Sequence, residues 1–285
     1  MSAVPAGILP VVPRMGLDPS FVPPAGATCL AEGSRTHYLD GVVYRPRTPW
    51  TPSVHALLRH LDAARYRGSP RLVGTGFDEA GRQQLQFVDG EVVHPRAWSD
   101  AGVVELGRLL RELHDATTDF SPPEDAVWMP WYTHRPKADP IYGHGDVGPW
   151  NVVARDGVPI AFVDWEFAGP IDRLDEVAEA IRLNCQLHGE DVVALHGLGG
   201  PETRARQVAL FADSYGLAAG EREQLIPRMI EGAVRGCAND CDEAVITPNF
   251  VGPHPMVWGM AWQIRGARWI LDHADFLAAA LGVAK

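Results

Sequence analysis

Residues 141–166, IYGHGDVGPWNVVARDGVPIAFVDWE, join a glycine-rich loop to a short apolar strand that ends at a carboxylate. The apolar run 160–163 is predicted to be a buried strand, and Asp164 follows it where a loop can open onto a cleft. Glycine and proline make the preceding loop irregular and let backbone approach a ligand closely. These residues are Gly143, Gly145, Gly148 and Pro149. The stretch therefore predicts a functional loop supported by a buried strand.

Three polar side chains of this stretch form a set that offers only oxygen ligands. Asp146 and Asn151 lie on the loop, and Asp164 follows the strand. Magnesium is a hard ion that takes one or two carboxylates together with substrate phosphates and waters. Phosphoryl transfer uses the same order of groups, in which one acid orients the attacking hydroxyl and an Asn and a second acid bind metal. The spacing therefore predicts phosphoryl-transfer chemistry.

The motif His144-Gly-Asp146, followed by Asn151 and Asp164-Trp-Glu166, resembles the catalytic core of the aminoglycoside phosphotransferase and choline kinase-like family. Members of this family are small-molecule relatives of protein kinases. The resemblance implies that Asp146 is the catalytic base and that Asn151 and Asp164 are magnesium ligands. It also implies that His144 is a structural residue that braces the loop.

The same resemblance implies a fold and a division of the chain. The expected fold is α+β, a bilobal protein kinase-like fold with a small N-terminal antiparallel β-sheet lobe that carries one helix. A larger, mainly helical C-terminal lobe follows. The expected domains are a nucleotide-binding lobe at 1–90, which begins with a proline-rich extended arm at 1–27, and a catalytic and substrate-binding lobe at 91–285.

The expected nucleotide-binding residues lie in the small lobe. The turn at 32–34, which includes Ser34, stands where the family has a phosphate-covering hairpin, and Arg45 ends the strand on which the family carries a phosphate-pairing lysine. Arginine pairs phosphates bidentately, although it is not a simple replacement for lysine. A surface arginine is the alternative interpretation. Phe87 and Val88 lie at the expected hinge, whose backbone would hydrogen-bond a purine edge.

The helix predicted to begin at Thr51 departs from the family pattern. Relatives place a glutamate on this helix as the partner of the lysine, and this helix contains none. His55 and Asp62 are the two candidates to replace it. The absence of the usual lysine–glutamate pair bears on nucleotide affinity more than on the fold.

Further site candidates follow the catalytic stretch. Asp172 or Asp175 is expected to anchor the catalytic loop at a helix start, and the spacing leaves open which of them does so. Helical patterns then continue to the end of the chain, where relatives build substrate specificity. The candidate substrate-binding residues are Glu166, Asp240, Asp242 and Trp262. A solvated helix end explains the two aspartates equally well, and core packing explains the tryptophan.

The net charge and the hydropathy of the chain limit the classes of binding partner and the location that are expected. The 285 residues carry a formal net charge of −11, which disfavours nucleic acid and anionic membranes and favours a cationic small substrate. The sequence has no run of 18 apolar residues, and its first residues lack the pattern of a signal peptide, so a cytoplasmic location is expected.

The expected function is transfer of the γ-phosphate of ATP or GTP, with Mg²⁺ as cofactor, to a hydroxyl of a small molecule. An antibiotic, aminoglycoside-like or other, is the favoured acceptor, which would give resistance or self-protection. One alternative is a weak or inactive pseudokinase-type binding protein, which the altered small lobe favours. Another is a magnesium-dependent hydrolase that uses Asp146 and Asp164 and needs no nucleotide.

Overall fold

A computed structural model describes residues 21–31, 34–135, 140–244, 246 and 254–283, without the side chains of 254–256. Most of the expected N-terminal arm lies at 1–20, outside the described residues. The first two residues of the turn predicted at 32–34 also lie outside them.

A five-stranded antiparallel sheet forms the N-terminal part of the described chain. Its strand order is β1-β2-β3-β5-β4. Asp40 and Gly41, both with positive φ, form the two-residue turn between β2 and β3, as the twist of a tight hairpin requires. The strands are β1 Thr28–Cys29, β2 His37–Leu39, β3 Val42–Arg45, β4 Leu72–Phe77 and β5 Gln83–Gln86.

One helix, α1 (Thr51–Ala63), lies between β3 and β4 in the chain. Proline in its first turn is compatible with helix, because the first backbone amides have no intrahelical acceptor. Its apolar face is buried in the core through Val54, Leu57, Leu58 and Leu61. The sheet and this helix match the small lobe expected from the sequence.

Two smaller antiparallel sheets frame the catalytic stretch. The first pairs β6 (Glu91–Val92) with β8 (Val152–Arg155), and β8 with β9 (Val158–Phe162). The second pairs β7 (Ile141–Gly143) with β10 (Gly169–Ile171). The loop from β7 to β8 and the loop from β9 to β10 therefore begin and end close together.

Helices make up the rest of the described chain. They are α2 Asp100–Ala116, α3 Arg173–Asn184, α4 Glu190–His196, α5 Pro201–Tyr215, α6 Ala219–Arg222, α7 Leu225–Glu243, α8 His254–Asp272 and α9 Ala274–Ala280. The Ser99 hydroxyl caps α2 by accepting from the amide of Gly102 at 3.1 Å. The helical pattern at the end of the chain is interrupted between α8 and α9 at His273, whose ring hydrogen-bonds the carbonyl of Trp269.

The core of the helical part lies among α2, α3 and α5. Leu106, Leu110, Ile181 and Phe211 are almost fully buried there. Burial of such side chains stabilises the fold by about 2 kcal/mol each. Within the described ranges, no helix has both the length and the apolar composition that a membrane span requires.

Candidate active site

Gly145 is central to the loop between β7 and β8, which carries the candidate base Asp146 and is here termed the catalytic loop. Its amide donates to Oε1 of Glu176 at 2.6 Å, and its carbonyl accepts from Nε1 of Trp131 at 3.0 Å and Oγ1 of Thr133 at 3.3 Å. Its φ of +83° is left-handed, and a Cβ there would collide with the carbonyl of Phe167. Only glycine satisfies both conditions, so the loop has one backbone path.

Glu176, on α3, is the acid that anchors this loop. Its side chain is 1% exposed, and Oε2 lies 2.7 Å from Nε2 of His114, whose Nδ1 lies 2.6 Å from the hydroxyl of Tyr215. Burial alone would raise the pKa of Glu176, but the bonds to His114 and to the Gly145 amide outweigh burial and hold that pKa below 4.5. The loop is therefore tied to a buried ionic network.

The sequence predicted Asp172 or Asp175 as the anchor, whereas the acid that accepts from the Gly145 amide is Glu176. Asp172 caps α3 by accepting from the amides of Leu174 and Asp175, and both aspartates pair with Arg228. A helix start faces the neighbouring α7, whereas Glu176 is on the buried side of α3. A glutamate among apolar helix neighbours was the available signal, since such residues are rarely buried unless paired.

His144 connects the loop to the end of β9. It is fully buried, with Nε2 2.9 Å from the carbonyl of Val163, while the amide of Asp146 donates to Nδ1 at 3.3 Å. Burial lowers the pKa of His144, so the ring is neutral. A neutral ring with its proton on Nε2 satisfies both bonds.

Asp146 presents a partly exposed carboxylate that its neighbours hold in place. Nδ2 of Asn151 donates to Oδ2 at 2.8 Å and to the backbone carbonyl of Asp146 at 2.9 Å, and Nε1 of Trp150 lies 3.3 Å from Oδ2. Burial raises the pKa of Asp146 to about 7, against the bond from Trp150. The carboxylate is therefore oriented and accessible.

Asp164 lies beside Arg45, which reaches it from β3. The distance from Nη1 of Arg45 to Oδ1 of Asp164 is 2.6 Å, and that from Nη2 to Oε2 of Glu166 is 3.1 Å. Arg45 is 8% exposed, which rules out the alternative of a surface arginine. Glu166 was expected at the substrate, and the structure places it against Arg45.

Asn151 and Asp164 provide donors that fit a hard cation. The Val163 amide donates to the Asn151 carbonyl at 2.8 Å, which brings residues 151 and 164 to adjacent positions. Because Nδ2 of Asn151 is directed to Asp146, Oδ1 is the atom that can ligate a metal. In the described part of the chain, no group of three His, Cys, Asp or Glu residues can hold a metal. One carboxylate and one amide suit Mg²⁺ that takes its other ligands from phosphates and water.

The other nucleotide-binding candidates of the small lobe lie in two separate places. The Ser34 hydroxyl accepts from the amide of Thr36 within the β1–β2 connection. Phe87 and Val88 are half-buried between β5 and β6, where the chain passes from one sheet to the next, and the ring of Phe87 packs on Tyr38.

His55 and Asp62 do not replace the missing glutamate of α1. Nε2 of His55 lies 3.0 Å from Nε2 of Gln83, and Asp62 pairs with Arg71 at 2.5 Å. Burial lowers the pKa of His55 to about 4, so its ring carries no charge at neutral pH. The partners of Arg45 instead come from the loop after β9.

The C-terminal candidates lie on α7 and α8. Trp262 packs near Trp150, at 6.3 Å between ring centroids, and the Arg182 guanidinium lies over its ring. Burial raises the pKa of Asp240 to about 6, and the charge of Arg182 opposes this shift. Asp242 is exposed.

Three residues on this side were not found from the sequence. Arg182 makes a buried pair with Glu179, in which Nη2 donates to Oε1 at 2.5 Å, and the hydroxyl of Tyr132 donates to the same oxygen at 2.7 Å. The charge of Glu179 contributes to the raised pKa of Asp146, which places this pair within electrostatic reach of the loop. Glu179 and Arg182, at i and i+3 on a buried helix, were the signal in the sequence.

A small antiparallel sheet with one helix, a helical second part, and an HxD loop with Asn and Asp beside it define a protein kinase-like fold. An amicoumacin kinase in complex with AMP-PNP and Ca²⁺ matches it with a TM-score of 0.62 and 14% identity, covering 88% of this chain and 89% of that one. Choline kinase from Cryptosporidium parvum matches it with a TM-score of 0.56 and 9% identity, covering 90% of this chain and 90% of that one. At such identities the likeness shows the fold alone.

Sequence similarity identifies the family. The model of the phosphotransferase enzyme family APH matches residues 125–224. A protein named trifolitoxin immunity protein, from Rhizobium leguminosarum bv. trifolii, is 43% identical over 256 residues, which are 89% of this chain and 98% of that protein. The chain belongs to the APH phosphotransferase enzyme family, and it is a small-molecule kinase of that family.

Proposed function

We propose that the protein transfers the γ-phosphate of ATP or GTP to a hydroxyl group of a small toxic molecule. The observation that carries this proposal is the position of the Asp146 carboxylate. It is held by Trp150 and Asn151 and lies within electrostatic reach of Asp164, whose charge raises its pKa. A base and two metal-binding groups in one cleft are what phosphoryl transfer requires.

Asp146 acts by accepting a hydrogen bond from the acceptor hydroxyl and aligning its oxygen with the phosphorus atom. The hydroxyl proton passes to the carboxylate as the new P–O bond forms and the bond to the nucleoside diphosphate breaks. Because the transition state is loose, alignment and charge neutralisation supply most of the acceleration. The bonds from Asn151 and Trp150 provide that alignment.

Asn151 and Asp164 are the residues that would hold Mg²⁺. When bound, the ion neutralises charge on the phosphates. Arg45 adds a permanent positive charge and two donors on the small-lobe side of the same cleft, since the carboxylates beside it raise its pKa above the ordinary value against the effect of burial. Phe87 and Val88 are the hinge residues proposed to contact the base, and Ser34 is proposed to lie over the phosphates.

The acceptor site is proposed to lie on the C-terminal side of Asp146, with Trp262, Asp240 and Asp242 as contacts. Support for an antibiotic or toxin as acceptor comes from the 43% identical relative, whose name states immunity to trifolitoxin. Self-protection by phosphorylation of a toxic compound is the proposed role.

Thermal-shift titration tests the nucleotide site first. The purified protein is titrated with ATP and with GTP, with and without Mg²⁺, and then with a panel of aminoglycoside, peptide and nucleoside antibiotics. A nucleotide at 100 times its Kd stabilises the folded state by about 2.7 kcal/mol. We expect one nucleotide to stabilise the protein only with Mg²⁺, and one antibiotic to add to that shift.

Transfer of ³²P from the nucleotide to that antibiotic then tests the chemistry, with the Asp146→Asn variant as control. Labelled product formed by the wild type and not by this variant supports the proposal. Nucleotide binding without transfer to any acceptor or water would favour a pseudokinase-type binding protein. No binding of either nucleotide would contradict the proposal.

A further inference from the structure

The ion pairs of Arg45 cross from the small-lobe sheet to the loop after β9. Arg45 ends β3, whereas Asp164 and Glu166 follow β9 and lie more than 100 residues later in the chain. Glu166 belongs to a 3₁₀ turn, residues 165–167, that packs against α1. The guanidinium therefore holds the two sides of the cleft together.

Among the described residues of the small lobe, no carboxylate is paired with Arg45. At the position of α1 nearest the sheet stands His55, which is uncharged and bonded to Gln83, while Asp62 pairs with Arg71. Among the described residues, Asp164 and Glu166 are the acids whose charges raise the pKa of Arg45. Every charge partner identified for this guanidinium thus comes from the loop after β9.

The two carboxylates differ in what else they are needed for. Asp164 is the proposed metal ligand, and a cation bound there competes with Arg45 for the same oxygens. A buried guanidinium that loses all its carboxylate partners is strongly destabilised, so Arg45 needs Glu166 when the metal site is filled.

The backbone at Glu166 is rigid enough for this purpose. Nε1 of the neighbouring Trp165 donates to the carbonyl of Phe162 at 2.9 Å, and Nε2 of His134 lies 2.8 Å from the carbonyl of Phe167. Trp165 is fully buried. Glu166 therefore presents its carboxylate to Arg45 from a fixed frame.

We propose that Glu166 is a positioning residue that holds Arg45 at the nucleotide phosphates while Asp164 is occupied by metal. The inference rests on the proposed function and deepens it. It assigns Glu166 to the nucleotide side of the cleft, and it explains how the chain does without a glutamate on α1.

A double-mutant cycle tests this proposal by calorimetric titration with AMP-PNP and Mg²⁺. The proteins are wild type, Arg45→Met, Glu166→Gln and the double variant. We expect Arg45→Met to weaken AMP-PNP binding about 30-fold and Glu166→Gln about tenfold, with the double variant no weaker than Arg45→Met, because interacting residues are not additive.

Two further variants separate positioning from general damage. Arg82→Met removes another small-lobe arginine that is paired with a carboxylate, Asp78, at 2.6 Å, and it should leave the AMP-PNP Kd within about twofold of wild type. Glu166→Asp keeps the charge on a shorter side chain and should restore part of the affinity that Glu166→Gln loses. Unfolding temperatures without nucleotide confirm that each variant is folded.

Equal Kd values for wild type and Glu166→Gln would overturn the inference, as would losses that simply add in the double variant. Neither result would affect the proposed phosphotransfer. Failure of the wild type to bind AMP-PNP with Mg²⁺ would instead overturn the proposed function itself. The two failures are therefore distinguishable in one set of titrations.

Discussion

The catalytic loop and the phosphate-facing side of the cleft are held by contacts of different range. Asp146 is bonded by Trp150 and Asn151, four and five residues along the chain. Arg45 meets Glu166 across 121 residues. The contacts of Asp146 form within the short loop itself. The Arg45 ion pairs form only when the small-lobe sheet and the loop after β9 are packed together. Substitutions on the two sides should therefore affect chemistry and nucleotide affinity differently.

Asp146→Asn should have the largest effect on the loop side. The amide keeps the shape of the side chain but cannot accept the hydroxyl proton, so we expect kcat to fall about 1000-fold. The AMP-PNP Kd should stay within about twofold of wild type. Asp156→Asn is the matched control, because this turn residue in the same stretch has a left-handed φ that Asn tolerates. Equal loss of turnover and nucleotide binding in Asp146→Asn would refute the assigned role.

Glu176→Ala tests a long-range support of the loop. It leaves His114 and the Gly145 amide without their buried acceptor, so the free energy of unfolding should fall by about 3 kcal/mol. Urea denaturation measures this value, and kcat should fall with it. A stability change below about 1 kcal/mol would show that Glu176 does not anchor the loop.

The pH dependence of stability isolates the charge of Glu176. Its pKa is lowered in the folded state, so its contribution is fully present above the unfolded value near 4.5 and is lost as pH falls through the folded pKa. Denaturation curves are measured between about pH 3 and pH 7, a range that includes the protonation of a carboxylate. The loss of stability at acid pH should be smaller for Glu176→Gln than for wild type. Parallel curves for the two proteins would contradict the prediction.

Arg45→Met tests the phosphate-facing side of the cleft. The Arg45 guanidinium lies 2.6 Å from Asp164, so its positive charge opposes a cation at that carboxylate. Removing this charge should tighten Mn²⁺ binding to the nucleotide-free protein by about tenfold, as a change of about 1.4 kcal/mol in the electrostatic free energy implies. Electron paramagnetic resonance of free Mn²⁺ measures the affinity. Unchanged affinity would show that Arg45 does not compete with metal at Asp164.

Asp172→Ala should give the smallest effect. It removes the cap of α3 and one partner of Arg228, so stability should fall by about 1 kcal/mol. Because the Gly145 amide of the loop donates to Glu176, we expect kcat of Asp172→Ala to remain within about twofold of wild type. A fall in kcat as large as that of Glu176→Ala would restore Asp172 as the loop anchor.

Much of the fold was predictable from short-range patterns. The amphipathic repeat of α1, the cap of α2 at Ser99 and the apolar run that became β9 each depend on neighbouring residues. The interruption at His273 was not predictable, because apolar periodicity continues across it.

The candidate site likewise has a part that short-range patterns predicted and a part that they did not. The grouping of Asp146, Asn151 and Asp164 follows from a single loop and a hairpin, so the spacing of the motif alone was enough to predict it. Glu176 was missed because its partners, Gly145 and His114, are 31 and 62 residues away, whereas Asp172 had the more familiar position at a helix start.

The sequence alone determined the local arrangement around Asp146, because the Trp150 and Asn151 side chains that hold its carboxylate lie four and five residues along the chain. Tertiary structure decided which acid anchors that loop and which acid partners Arg45. Those choices depend on the buried face of α3 and on the approach of β3 to the loop after β9. A buried charge takes its partner from whatever carboxylate the packing brings within reach.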